Sequence, residues 1–272
     1  MPDGRYVVRF GRIDRIQHLL LFVSFLTLAA TGLPLLFSDA AWARPLATAF
    51  GGFAVTSVIH RVFAMLLMAV FVVHVARIVL RLARGEFGIL WGPDSMMPQP
   101  KDVSDLIAHI RWFLRRGPKP KFDRFTYWEK FDYWAVFWGM VVIGGSGLLL
   151  WFPEWFSSML PGWVFNVALL VHGEEALLAI AFITTIHFFN SHMRPKKFPM
   201  DMVMFTGVVE MDEYRQERPL EMRRLAESGR LQTRLAAAPH PVFVRRARLV
   251  GALAIAVGLS LFVMIVFAVV TR

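Results

Sequence analysis

Five long apolar segments constrain this chain more than any other feature of its sequence. Three carry no charged residue and two contain a few ionisable side chains; the segments are Leu19–Ser38, Thr56–Leu80, Tyr133–Pro153, Val164–Phe189 and Leu249–Thr271. About 20 apolar residues suffice for a helix to cross the hydrocarbon layer. Hydrophobic residues make up 56% of the sequence, above the usual share in soluble domains. We therefore expect an all-α integral membrane protein with five transmembrane helices, the first retained as an anchor because no cleavage site precedes it.

Lysine and arginine are distributed unevenly among the segments that flank these helices. The basic parts are the N-terminus, with Arg5, Arg9, Arg12 and Arg15, and the two long loops 81–130 and 194–248; the loops 39–52 and 153–163 contain one basic residue between them. Because basic loops stay on the cytoplasmic side, we expect a cytoplasmic N-terminus, two long cytoplasmic loops and a C-terminus on the outer side. The net charge of +10 then reflects topology and attraction to membrane lipid. It does not indicate nucleic-acid binding, since no separate basic folded domain is present to carry it.

Four histidines form spaced pairs within two of the predicted helices. His60 and His74 are 14 residues apart, and His172 and His187 are 15 apart. At ~1.5 Å per residue each pair spans roughly 22 Å, and at ~100° per residue its two rings lie within about 60° of each other around the helix. Each helix can therefore present one metal-binding imidazole near each side of the membrane. This spacing is typical of two stacked b-type hemes, each clamped by imidazoles from different helices.

The expected orientation ranks these histidines by depth. His60 and His172 lie near the outer side and form one obvious pair. The inner side has three candidates for two ligand positions, namely His18, His74 and His187. His18 and His187 lie similarly close to their helix ends and His74 lies deeper, which favours His18 with His187 and leaves His74 as the alternative. His192 is a reserve ligand.

Several runs of the sequence resemble one family of membrane cytochromes. They are GRIDRIQHLLLFVSFLTLAATGLPLLF, VIHRVFAMLL, FTYWEKFDYWAVFW, GGSGLLLWFPEWF and LLVHGEEALLAIAFITTIHFFNSHMRP, and together they span roughly residues 5 to 195. These runs are similar to the cytochrome b (gamma) subunits of respiratory formate dehydrogenases and to nickel-iron hydrogenase cytochromes b. The resemblance implies a four-helix bundle with two hemes b, His60 and His172 holding the outer iron and His18 and His187 the inner one. It also implies a location in the bacterial inner membrane, so that the C-terminus is expected in the periplasm.

Three features of the chain depart from that family. The spacing between the two histidines of the fourth helix is one residue longer than in the formate dehydrogenase type. His74 has no ligand counterpart there, and its pairing with His60 resembles the two-histidine helices of bc-type quinol oxidoreductases. The fifth helix lies beyond the matched region. A bc-like arrangement in which His74 replaces His18 is therefore the alternative within electron transfer.

The complete absence of cysteine restricts the chemistry of the chain. Without thiolates it cannot ligate an iron–sulfur cluster, and without a C-x-x-C-H motif it cannot attach heme c. It also lacks a Rossmann fingerprint and a P-loop. Two hemes alone form only an electron pathway, so the expected partners are a periplasmic iron–sulfur or multiheme cytochrome subunit at one end and a membrane-dissolved quinone at the other.

Four arginines at membrane depth are candidates for binding heme propionates. Arg12, Arg15 and Arg77 lie near the level of the inner heme, and Arg61 directly follows His60. A guanidinium can bind a carboxylate through two hydrogen bonds. For Arg12 and Arg15, a topology signal or snorkelling toward the interface is an equally good explanation.

The segment before the third helix contains the candidates for quinone chemistry. In the family that the chain resembles, an amide residue in this segment helps to bind quinone; the matching position here is Thr126, whose hydroxyl can still donate a hydrogen bond. Tyr127 can stack on the quinone ring, and Glu129 and Lys130 can exchange protons. The alternative is an interfacial belt of aromatic and charged residues.

These observations predict three parts of the chain. Residues 1–195 form a di-heme cytochrome b membrane domain, with helices at about 16–37, 56–80, 133–153 and 164–189; 196–245 form a cytoplasmic segment with an amphipathic helix; and 246–272 form the fifth transmembrane helix. We expect the chain to be the electron-transfer subunit of a quinone-linked respiratory oxidoreductase, passing electrons between a quinone pool and the periplasmic subunit. A non-redox membrane anchor or a transporter subunit is the alternative from another class.

Overall fold

The computed structural model of the chain describes residues 6–271; Arg5 of the basic N-terminus lies outside this range. The chain is about 73% helical, and five helices are long and apolar enough to cross a membrane. The prediction of an all-α, multi-pass membrane protein is thereby confirmed. The five spans are Arg12–Leu36, Phe53–Ala83, Tyr127–Trp151, Trp163–Met193 and Pro241–Val270.

The spans correspond to single or interrupted helices. The first, second and fifth spans are continuous and are called α1 (Arg12–Leu36), α3 (Phe53–Ala83) and α12 (Pro241–Val270). The third consists of α5 (Tyr127–Gly139), a π-helical turn (Met140–Gly144) and α6 (Gly145–Trp151). The fourth consists of α8 (Trp163–Phe182) and two π-helical turns, Ile183–His187 and Phe189–Met193. A π turn interrupts the regular i→i−4 hydrogen bonds and is frequent at functional sites.

The segments between the spans carry short elements. The helices are α2 (Ala43–Ala49), α4 (Pro100–Phe113), α7 (Pro153–Ser157), α9 (Val203–Thr206), α10 (Met211–Glu217) and α11 (Pro219–Glu227), with 3₁₀ turns at Phe87–Ile89 and Gln232–Arg234. The strands β1 (Tyr6–Val8), β2 (Val208–Glu210) and β3 (Leu235–Ala236) form an antiparallel sheet with β1 in the centre. The sequence did not predict this sheet.

The chain divides into two compact units. The first contains the residues up to Arg15, Val75–Val136 and Met202–Arg245. In its sheet Val7 pairs with Val209 on one side and with Leu235 on the other. The apolar residues of the segment predicted to form an amphipathic helix are covered by this unit's own core, in which Tyr214 and Leu225 pack with Val7 and Val209.

The second unit contains Ile16–His74, Phe137–Asp201 and the residues from Arg246 onward. Its buried core joins Ala29 and Leu33 of α1, and Phe37 directly after that helix, with Ile180 of α8 and with Leu261, Ile265 and Ala268 of α12. A Cβ atom on Gly258 of α12 would lie 2.9 Å from two ring carbons of Phe188. The fifth span is therefore packed into the helical bundle.

Candidate functional site

The two histidines predicted at the outer level face each other in the second unit. His60 on α3 and His172 on α8 have ring centroids 6.3 Å apart, with an angle of 72° between the ring planes. A metal–imidazole bond is about 2 Å long, so two imidazoles on opposite sides of one ion have centroids roughly 6 Å apart. The observed separation fits a single iron held between the two rings.

The hydrogen bonds of His172 favour the tautomer that binds metal. Its Nδ1 atom lies 3.0 Å from the carbonyl oxygen of Ile143, in the π turn of the third span. A carbonyl oxygen can only accept a hydrogen bond, so Nδ1 carries the proton and Nε2 keeps a free lone pair. The same arrangement orients metal-bound histidines through their second nitrogen. The Ser146 hydroxyl lies 3.3 Å from the same Nδ1 atom.

His60 is oriented in the same way by a threonine of α1. Its Nδ1 atom lies 3.0 Å from Oγ1 of Thr31, whose side chain is fully buried. The Thr31 hydroxyl donates its hydrogen to the carbonyl oxygen of Thr27 at 2.7 Å, so its oxygen accepts from the histidine. The Leu28 backbone also hydrogen-bonds the His60 ring. With the proton on Nδ1, the lone pair of His60 lies on Nε2, the nitrogen that can bind a metal.

A glycine follows each supporting hydroxyl residue and makes room for the histidine ring. A Cβ atom on Gly32, after Thr31, would lie 3.1 Å from Cε1 of His60. A Cβ atom on Gly147, after Ser146, would lie 3.1 Å from Cε1 of His172. Two different helices thus present the same hydroxyl–glycine pair to the two histidines. This arrangement, the ring separation and the lone pairs on Nε2 together fit a heme with two imidazole ligands.

The histidines predicted at the inner level, His18 and His187, lie near His192 in the second unit. His18 lies close enough to His187 and His192 to interact electrostatically with both, and the centroids of His187 and His192 are 6.4 Å apart. In a regular α-helix, residues five apart lie about 140° from each other around the axis. The π turns at the end of the fourth span, whose hydrogen bonds join residues five apart, bring these rings to one side. Nδ1 of His192 is buried and has no hydrogen-bond partner among the described residues.

His74, the alternative inner ligand, has different neighbours. Its Nδ1 atom lies 3.5 Å from Oε1 of Gln17, and its ring contacts that of Phe137 at a centroid distance of 6.1 Å. The structure thus places His18 beside His187 and His192, and His74 beside Gln17 and Phe137. Among residues 6–271, no group of three or more His, Asp or Glu side chains is placed to hold a metal ion.

The four candidate propionate ligands have different surroundings. Arg77 forms an ion pair of 3.0 Å with Asp14. The Arg61 guanidinium lies over the Trp151 ring, 5.7 Å from its centroid. Arg12 is exposed, whereas Nε of Arg15 is buried without a hydrogen-bond partner among the described residues. Of the four arginines, Arg15 therefore has a buried N–H donor that a propionate carboxylate could accept from.

The quinone candidates lie together in the first unit, where they also start a helix. Thr126, which is 1% exposed, donates its hydroxyl to Oε2 of Glu129 at 2.8 Å, and the same carboxylate accepts the Thr126 backbone N–H. The Glu129 backbone N–H in turn lies 3.3 Å from the Thr126 hydroxyl. This reciprocal arrangement is a capping box at the beginning of α5.

The other two candidates are also hydrogen-bonded. Nζ of the buried Lys130 donates to Oδ2 of Asp102 at 2.8 Å, and the Tyr127 hydroxyl lies 3.0 Å from Nδ1 of His109. Of the four quinone candidates, Lys130 lines a cavity of about 240 Å³. The other lining residues are Gly92, Pro93, Gln99, Lys101, Asp102, Asp105, Asp123 and Phe125. Its wall thus contains the aromatic ring of Phe125, the amide of Gln99 and the ammonium group of Lys130.

Sequence reasoning missed a buried ionic network in the same unit. Glu221, 1% exposed, accepts hydrogen bonds from Arg9 at 3.0 Å and from Arg124 at 2.9 Å. Glu129 binds Arg218 at 2.7 Å and lies 3.6 Å from Arg9. Burial lowers the pKa of Arg9, as does the charge of Arg218, while the two glutamates act in the opposite direction. No local pattern reveals these pairs, because their members are far apart in the sequence.

No protein-family model and no curated protein with which the chain was compared gave a match.

Proposed function

We propose that this chain is a di-heme cytochrome b subunit that transfers electrons between a membrane quinone pool and a periplasmic redox subunit. One observation carries the proposal: His60 and His172 face each other at 6.3 Å, each with Nδ1 hydrogen-bonded. A half-buried pair of imidazoles in an apolar bundle, each with the lone pair on Nε2, is suited to hold heme iron. When bound there, a heme supplies one-electron redox chemistry.

The residues around this pair have defined roles in the proposal. His60 and His172 bind the iron. Thr31 and the Ile143 carbonyl fix the protonated nitrogen of each ring and thereby its orientation, which increases the basicity of the ligand. Gly32 and Gly147 allow the neighbouring helices to approach the rings. The apolar core of the second unit excludes water from the site.

For the inner heme we propose His18 and His187 as ligands, supported by the proximity of His18 to the end of the fourth span. Arg15 is the propionate ligand best supported by its surroundings, since its buried Nε lacks a partner among the described residues. His74 remains the ligand of the competing bc-like arrangement. Comparing His18→Ala with His74→Ala distinguishes the two, because only the true ligand should be needed for the second heme.

The proposed orientation places the redox partner on the side opposite the basic loops. The segment from Pro153 to Trp163 has no basic residue and exposes Trp155, Met159 and Trp163. Phe53, at the start of α3, is also exposed. We propose that a periplasmic iron–sulfur or multiheme subunit docks on this aromatic surface. Crosslinks of a soluble redox protein only to the basic loops would contradict this placement.

Quinone exchange is proposed at the opposite end, in the segment from Thr126 to Lys130. The cavity beside Lys130 and Phe125 supports this placement, because it combines a ring for stacking with groups that can exchange protons. The double variant Thr126→Ala, Glu129→Gln should slow quinone-linked turnover while both heme spectra persist. Thr126→Ser is the matched control, since it keeps the hydroxyl that caps α5. The unfolding temperature is measured as well, because loss of the cap should lower it, whereas loss of a quinone contact alone should not.

The central experiment is a reduced-minus-oxidised absorption spectrum of the purified chain, together with its heme content. We expect two hemes b per chain, and loss of one of them in His60→Ala and in His172→Ala. His240→Ala is the control because that histidine is exposed. A folded chain without a heme b band would refute the proposal and favour a non-redox anchor or transporter.

A further inference from the structure

The helix α4 (Pro100–Phe113) has three distinct faces. One face is held by the first unit: Asp102 binds Lys130, and His109 hydrogen-bonds the Tyr127 hydroxyl and contacts the Phe122 ring at a centroid distance of 5.8 Å. Lys130 and Tyr127 belong to the first turn of the third span. These contacts therefore fasten α4 to the point where the chain enters that span.

A second face of α4 is apolar and exposed. At ~100° per residue its side chains fall within an arc of about 120°; they are Val103, Leu106, Ile107, Ile110 and Phe113, continued by Leu114. Their exposed fractions range from 40% for Leu106 to 69% for Phe113. An apolar stripe of this width normally faces a protein core. Because removing such side chains from water is favourable, we expect this face to lie in an apolar environment.

The third face and the end of the helix are polar and basic. Ser104 and Arg111 are exposed on the side away from Asp102 and His109. Lys101 is also exposed and pairs with Asp105 of the same helix. Beyond Arg111, the positively charged residues Arg115, Arg116, Lys119 and Lys121 follow within ten positions. The chain therefore presents positive charge next to the apolar stripe, a combination typical of helices that lie at the surface of anionic membranes.

We infer that α4 is an interfacial helix that binds the bilayer itself, with its apolar face among the acyl chains and its basic end on anionic phospholipid headgroups. Lipid is favoured over a protein partner by the position of the helix. The loop leaves one span at Ala83 and enters the next at Tyr127, to which α4 is directly bonded. Exposed Phe87 and Trp91 in the same loop are of the residue types that settle at membrane interfaces. The inference is independent of the proposed redox function.

The experiment uses the full-length chain, which has no cysteine and so accepts a single labelled one without background. Ile110→Cys places an environment-sensitive fluorophore on the apolar face, and Ser104→Cys places it about 120° away on the polar face. Both variants are reconstituted in nanodiscs of phosphatidylcholine with phosphatidylglycerol. We expect blue-shifted emission and several-fold stronger quenching by acyl-chain spin-labelled lipid at position 110 than at position 104.

Two outcomes would overturn the inference. Equal, water-like emission at both positions would show that α4 does not enter the lipid. A blue-shifted probe at position 110 that lipid spin labels fail to quench would show that protein covers the face.

The binding of anionic headgroups by the basic end of α4 is tested separately. Quenching at position 110 should increase with the phosphatidylglycerol fraction, and the double variant Arg115→Gln, Arg116→Gln should remove that dependence. An unchanged dependence would exclude these arginines as headgroup ligands, and an unchanged unfolding temperature verifies that the variants are folded.

Discussion

The Nδ1 atom of His172 lies 3.0 Å from the carbonyl oxygen of Ile143, which belongs to a π-helical turn of the neighbouring span. The carbonyl fixes the proton on Nδ1, so the nitrogen on the other side of the ring is free for a metal. Thr31 does the same for His60 through a hydroxyl whose own hydrogen is already donated elsewhere. The two ligands of the proposed outer heme are therefore oriented by residues on two other spans.

Replacing Thr31 by valine should weaken the outer heme site while preserving the shape of the side chain. Loss of a hydrogen bond to a metal-bound histidine typically lowers metal affinity 10- to 100-fold, so we expect heme affinity to fall by roughly that factor. The remaining heme should have a higher midpoint potential, because a less basic imidazole stabilises ferric iron less. Heme content and a redox titration measure both effects. Thr27→Val is the control, since the Thr27 hydroxyl donates to the carbonyl oxygen of Val23 in its own helix and not to the histidine; equal effects in the two variants would refute the role of Thr31.

Adding a single methyl group at Gly147 should displace the ring of His172. The new Cβ atom would lie 3.1 Å from Cε1 and 3.4 Å from Nδ1 of that histidine, closer than ordinary van der Waals contact. We expect Gly147→Ala to lower the heme-to-protein ratio of the purified chain. Gly145→Ala, two residues away on the same helix, is the control, because nothing lies within 4 Å of its added Cβ atom. A full complement of heme in Gly147→Ala would contradict the proposed close approach.

The packing of the fifth span should depend on Gly258. A Cβ atom there would lie 2.9 Å from ring carbons of the buried Phe188, so Gly258→Ala forces either the Phe188 ring or one of the helices to move. Overpacking of this kind costs about 1–3 kcal/mol, and we expect a lower unfolding temperature in detergent. Ser260→Ala, at an exposed position of the same helix, should leave it unchanged. If the two variants unfold at the same temperature, the fifth span is not held at this contact.

An acid-sensitive contact is expected in the first unit, where Arg224 forms two hydrogen bonds with Asp94, at 2.7 and 3.2 Å. Burial alone would raise the pKa of Asp94, but the hydrogen bonds and charge of Arg224 outweigh it and hold the pKa below its ordinary value. A lowered pKa contributes stability above the ordinary value near ~4, and this stability is lost as the pH falls through the folded-state value. The unfolding temperature should therefore decline below about pH 4, and less steeply in Arg224→Gln.

The neighbouring Arg223 provides the control for this pH dependence. Its contact with Glu227 is exposed and has a distance of 4.0 Å, so it should add little stability. We expect Arg223→Gln to retain the acid sensitivity of the unsubstituted chain. Identical pH profiles for the two arginine variants would show that the Asp94 pair is not responsible.

The five spans could be predicted from the sequence because the hydropathy and length that create them are local properties. The residues at which the spans begin and end could not be predicted in this way. The third span was expected to begin at Tyr133 and begins at Tyr127, because the capping box of Thr126 and Glu129 starts the helix before its apolar part. The fifth was expected from residue 246 and begins at Pro241. Hydropathy marks the part of a helix that suits lipid, whereas hydrogen bonds determine where the helix begins.

The sequence by itself thus determined a multi-pass helical protein and the histidines whose spacing suggests two metal sites. Tertiary structure decided the features that depend on distant residues or on backbone register. Arg9 and Glu221 meet although 212 positions separate them, and β1 pairs with strands from the other end of the chain. The π turns of the fourth span bring His187 and His192 together, which a regular helix would not do. The physical reason is that hydrophobicity and helix periodicity act between near neighbours, whereas buried ion pairs, strand pairing and ring orientation arise only when the folded chain brings distant groups into contact.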